Sequence, residues 1–89
     1  MARVIRGSRS YSVKAPDWLL HHAGEVVAIS IADGGHGTAV LTARLADGGI
    51  YLCDVADASV AVDWVRRPAF RGLALTIIDA AGEATRTVC

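Results

Sequence analysis

The chain has 89 residues, nine basic and nine acidic side chains and no formal net charge; 53% of it is hydrophobic, with a mean hydropathy of +0.39. That length is one domain, residues 1–89, and so short a chain buries only about 60–65% of the surface it exposes when unfolded. Neutrality argues against a dedicated nucleic-acid binder, two cysteines are too few for a disulfide scaffold, and no apolar run reaches the ~20 residues of a membrane span.

Arg3, Arg6, Arg9 and Lys14 all precede the first acid, Asp17. Residues 1–9 therefore read as a candidate flexible basic arm. It leads into an extended stretch, 4–13, where Ser8, Ser10 and Ser12 alternate with Arg9, Tyr11 and Val13. The opening residues lack the apolar core of a secretory leader, so a cytoplasmic protein is expected. A short helix is predicted over 16–23, with Pro16 at its first position and Gly24 just past its last.

Three strands are predicted next. Residues 25–33 set Val27, Ile29 and Ile31 against Ala28, Ser30 and Ala32. Residues 38–46 set Leu41, Ala43 and Leu45 against Val40, Thr42 and Arg44, and residues 50–55 set Ile50 and Leu52 against Tyr51, Cys53 and Val55. Alternation of a large face with a small or polar one is the pattern of a sheet covered on one side. Asp33 with Gly34, Asp47 with Gly48, and later Asp79 with Gly82 punctuate the apolar runs and predict three hairpins.

The main helix is predicted over 57–67. Asp57 is a good N-cap, and Val60, Ala61, Trp64 and Val65 share one helical face. Asp63 and Arg67 stand at the favourable i, i+4 spacing, and Pro68 stops the helix. Residues 72–79 are apolar on both faces and read as a central strand; 84–88, with Thr85, Arg86 and Thr87, read as an edge. The expected fold is α+β: an antiparallel sheet of five or six strands with the 57–67 helix on one face and the 16–23 helix beside it.

Chemistry is harder to place. Gly34, Gly35 and Gly37 surround His36, but a strand follows where a phosphate loop needs a helix N-terminus, so a hairpin tip is expected. His21, His22, His36 and Cys53 do not have metal-ligand spacing, and Cys53 alternates as a buried structural thiol. No metal, cofactor or catalytic set is expected, and the chain reads as a non-enzyme. No motif is specific enough to place it in a family.

Two features remain as candidate contacts. Trp18 and Trp64 could line a small-molecule pocket between sheet and helix. Arg66, Arg67 and Arg71 cluster around Phe70; joined to the N-terminal arginines they could grip phosphates or an acidic partner. The leading expectation is an interaction or accessory module that self-associates, or binds a protein partner, through apolar sheet surface. Pocket binding is the alternative, and nucleic-acid contact through the basic arm a weaker one.

Overall fold

A computed structural model describes residues 2–14, 17–35 and 37–89. The alternating runs form seven strands: β1 (Ala2–Arg6), β2 (Arg9–Val13), β3 (Val26–Asp33), β4 (Ala39–Leu45), β5 (Ile50–Val55), β6 (Ala74–Ile78) and β7 (Ala84–Val88). Two helices interrupt them, α1 (Asp17–His21) and α2 (Ala58–Val65). Short 3-10 turns follow at Ala23–Glu25 and Pro68–Phe70.

The three expected hairpins are present and share one device. The carboxylates of Asp33, Asp47 and Asp79 each accept the amide hydrogen two residues on, from Gly35 at 2.8 Å, Gly49 at 2.8 Å and Ala81 at 3.0 Å. Each side chain thus closes its own turn. A fourth hairpin, β1 to β2, replaces the single extended stretch expected over 4–13. Gly7 breaks it by adopting φ +59°, a region that costs other residues strain.

That break also corrects the reading of residues 1–9 as a flexible arm. β1 is an interior strand, paired antiparallel with β2 on one side and β5 on the other. Its Ala2 and Val4 are buried in the core.

All seven strands belong to one sheet, in the order β2-β1-β5-β4-β3-β6-β7. It is mixed, which corrects the expected antiparallel sheet of five or six strands: β3 and β6 run parallel. β3, β4 and β5 meander antiparallel, so β5 points the same way as β3. The chain then crosses back over the sheet as α2 and enters β6 in that same direction, and such a crossover is how parallel neighbours are joined.

α2 lies over β3, β4 and β5. It presses Ala61 and Val65 into a core that includes Ile29, Ile31, Leu41, Tyr51 and Phe70. Val60, expected on that face, is exposed instead. The helix is shorter than the predicted 57–67, with Asp57 as its N-cap and Arg66 as its C-cap. Among the described residues no ion pair joins Asp63 to Arg67; the Arg67 guanidinium lies over the Trp64 ring, 5.7 Å from its centroid. α1 is likewise shorter than the predicted 16–23, and Pro16 lies outside the described residues. A bulge between Val26 and Ala28 reverses the expected direction of Val27, turning it to solvent and Val26 inward.

Asp57 accepts hydrogen bonds from the Val60 amide and the Ser59 hydroxyl. The Ser59 bond first, then the Val60 bond, hold its carboxyl below its ordinary pKa. A depressed native pKa contributes stability that is present above the unfolded pKa and lost as pH falls through the native one. Asp57→Ala is therefore expected to lower the urea midpoint at neutral pH, and the gap from the parent should narrow as the solution is acidified. Urea titrations monitored by circular dichroism at several pH values measure both effects.

Candidate functional site

Residues opposite one another in a ladder share a face, so the register divides the sheet's side chains into two sets. Val4, Tyr51, Ala43, Ile29 and Leu75 form one continuous inner row, lying under the helices. The outer set forms three rows. Ser10, Ile5, Ile50, Arg44, Ala28, Ala74 and Val88 make the first, and Ser12, Arg3, Leu52, Thr42, Ser30, Thr76 and Arg86 the second. Asp54, Val40, Ala32, Ile78 and Ala84 make the third.

Among the described residues no helix or loop covers this outer face. Val40 is 37% exposed, Ile50 38% and Val88 62%, while Ile5, Leu52 and Ile78 are half-buried between strand neighbours. Charges stand among them: Arg3, Arg44 and Arg86 against Asp54. A depression of about 290 Å³ lies at the β1–β5–β4 end, lined by residues that include Arg3, Ser12, Val40, Leu52 and Asp54. The face offers apolar contact, hydroxyls and both signs of charge.

The inner side holds a second cluster, built around Trp18. Its indole stacks on His22, centroids 4.0 Å apart and 11° from parallel, and on Tyr51 at 5.7 Å and 7°. His22 is held there by a 2.7 Å contact from Nδ1 to the Trp18 carbonyl oxygen, which fits an Nδ1–H donor. Arg6 lies over the indole at 5.8 Å and reaches Glu25 at 3.3 Å and Asp47 at 3.4 Å. The Asp47 turn can approach this closely because residue 49 is glycine. A Cβ there would sit 2.9 Å from the Asp47 carboxylate and 3.0 Å from Arg6 Cγ.

Tyr51 is fully buried, and its hydroxyl makes no hydrogen bond among the described residues, although the Cys53 thiol lies close enough to act on it. Burial first, and Cys53 second, push the phenol's pKa well above its ordinary value.

The candidate contacts from the sequence fall in separate places. Trp18 belongs to the stack just described. Trp64 is half-buried against Phe70, centroids 5.0 Å apart. Neither lines the depression on the outer face. Arg66, Arg67 and Arg71 are exposed at the end of α2 and the turn beyond it. Of the N-terminal arginines, Arg3 stands on the outer face, and Arg6 is held by Glu25 and Asp47. His36 lies outside the described residues.

Arg44, Leu52 and Asp54 were not singled out from the sequence as contacts. The period-two pattern puts Leu52 opposite in sense to Cys53, but it does not say which face the helices cover.

No group of three or more histidine, cysteine, aspartate or glutamate side chains among the described residues could hold a metal ion. No described helix is long and apolar enough to cross a membrane. No protein-family model, curated protein or solved structure matches the chain.

A buried hydroxyl without a partner costs about 1–3 kcal/mol. Tyr51→Phe is expected to raise stability by about 1 kcal/mol at neutral pH. The raised native pKa adds a pH signature. Stability is full below the unfolded phenol's pKa of ~10 and falls as pH rises beyond it, because the unfolded chain then ionises while the native one stays protonated. Tyr51→Phe should flatten that alkaline decline, as read from urea midpoints between neutral pH and about pH 11.

Proposed function

We propose that this protein is a small non-enzymatic interaction module that self-associates through the outer face of its sheet. The observation that carries the reading is the one-sided cover: seven strands with both helices on one side, and exposed Val40, Ile50 and Val88 on the other. Val40 and Ile50 flank Leu52, with Ile5 beside Ile50, while Val88 stands apart on β7; monomers rarely leave large apolar patches open.

Size supports it. Seven strands about 4.8 Å apart, each about five residues at ~3.3 Å, span roughly 29 by 17 Å, a planar footprint of ~500 Å². Standing side chains raise the accessible area toward the ~800 Å² per partner of a standard interface. The occupant that fits this face is a second copy of the chain. Pleated faces of equal twist stack on one another about 10 Å apart, and this face carries both signs of charge. The tryptophan-pocket alternative has less in its favour, since both indoles are engaged with neighbouring rings.

Sedimentation and light scattering at micromolar concentration are expected to give a dimer. Leu52→Glu should weaken it at least tenfold, about 1.4 kcal/mol, with an unchanged circular dichroism spectrum. A parent protein that stays monomeric up to about 100 μM, a dissociation constant too weak to matter for a standing dimer, would overturn the reading.

A further inference from the structure

We infer that the two copies stack face to face about a two-fold axis running across the strands through the row of Leu52 and Thr42, so that each Arg44 meets Asp54 of the other copy. This rests on the self-association proposed above and specifies its geometry.

Arg44 sits opposite Ile50, and Asp54 opposite Val40, with the Thr42–Leu52 pair midway between. Arg44 and Asp54 are both exposed on the outer face, on adjacent strands but four residues apart along them. That offset is roughly 14 Å, too far for them to pair within one chain. It is also the displacement that a two-fold axis through the middle row undoes. Rotation about that axis exchanges the row containing Arg44 with the row containing Asp54. The carboxylate of one copy then arrives over Ile50 of the other, one strand spacing (about 4.8 Å laterally) from its Arg44. The contact occurs twice by symmetry, and Leu52 faces Leu52 between the two.

The other in-plane axis, along the strands between β4 and β5, performs worse. Either axis seats the two charges over Ile50 and Val40 of the other copy, but this one leaves each Arg44 about 13 Å along the strand from the Asp54 that should pair with it. Desolvating a charge without a partner is costly. Sheets stack with their strands within about 30° of alignment, which displaces groups ~7 Å from the centre of the contact by at most about 3.6 Å, less than one strand spacing. Arg3, beside Leu52 on the neighbouring strand, lines the same depression as Asp54 of its own chain and adds positive charge at that end of the face. Complementary charges of this kind fix orientation more than they supply affinity.

The test uses charge exchange in the intact chain. Arg44→Asp and Asp54→Arg are each expected to weaken the homodimer at least tenfold, because each creates two like-charge contacts. Mixing the two variants should restore association as a heterodimer, in which both contacts are again opposite in sign. The double variant, R44D with D54R, should restore the homodimer. Both positions are exposed, and circular dichroism with urea midpoints establishes that each variant is folded; for any variant that is not, Arg44→Gln and Asp54→Asn take its place, each expected to weaken the homodimer and to recover in part on mixing, because the heterodimer regains one of the two charge contacts.

If the parent dimerises but neither exchange weakens it, or if weakened variants are not rescued by mixing, this geometry is overturned while self-association stands. A parent that is monomeric throughout overturns both.

Discussion

A pleated sheet sends alternate side chains to opposite faces, and this chain has little helix with which to cover them. α1 and α2 together supply thirteen residues, both on the same side of seven strands. The rest of the structure follows from that imbalance. The inner face can be filled with Val4, Ile29, Ile31, Leu41 and Leu75 because Leu19, Ala61, Val65 and Phe70 close over it. The outer face must be tolerable in water and yet carries Ile5, Val40, Ile50, Leu52 and Ile78, since strand formation favours branched side chains on both sides.

The ends of the inner layer are secured by different physics from its middle. Apolar burial at ~25 cal/mol per Å² dominates the centre. At the β1 end, Arg6 spans Glu25 and Asp47, but all three side chains are a third to a half exposed. Ion pairs so exposed contribute little in water. Arg6 matters more as a lid: its stem packs at Gly49 and its guanidinium lies over Trp18, extending the stack that covers Tyr51. The stack covers a phenol whose hydroxyl has no hydrogen-bond partner by geometry among the described residues, only the nearby Cys53 thiol, a local cost accepted in exchange for a large buried ring.

Much of this fold was legible because the informative signals are local. Period two in 25–33, 38–46 and 50–55 revealed three strands, and Asp-Gly pairs their turns, since an aspartate closing its own turn needs nothing distant. Asp57 announced α2 for the same reason. What escaped was whatever depends on a distant partner or a weaker local cue. The β1–β2 turn rests on Gly7 without an aspartate, so one stretch was read where there are two strands. The parallel pairing of β3 with β6 joins segments more than forty residues apart and leaves no periodic trace. The bulge at Val27 shifts phase by one residue, which alternation cannot signal from one strand alone. For the candidate surface, the residues of each face were legible, but which face the helices cover was not. That depends on where the crossover lies, and so Arg44 and Asp54 drew less attention than the arginines beyond α2.

The edges of the sheet bear on how an uncovered face is used. β2 presents Arg9, Ser10 and Ser12, and β7 presents Thr85, Arg86 and Thr87; both strands are five residues long and largely exposed. Short edges with charged and hydroxylated side chains are poor templates for adding another strand. Sheet growth from one chain to the next is discouraged there, whereas the outer face has no such protection at Ile50 and Val40. Edge pairing can continue from chain to chain, but a face used about a two-fold axis is consumed by a single mate and closes at two. The same residues that make the edges polar therefore favour a finite assembly over a fibre; in the proposed dimer, stacking through Leu52 and its neighbours is the route that would remove the apolar excess of this chain from water.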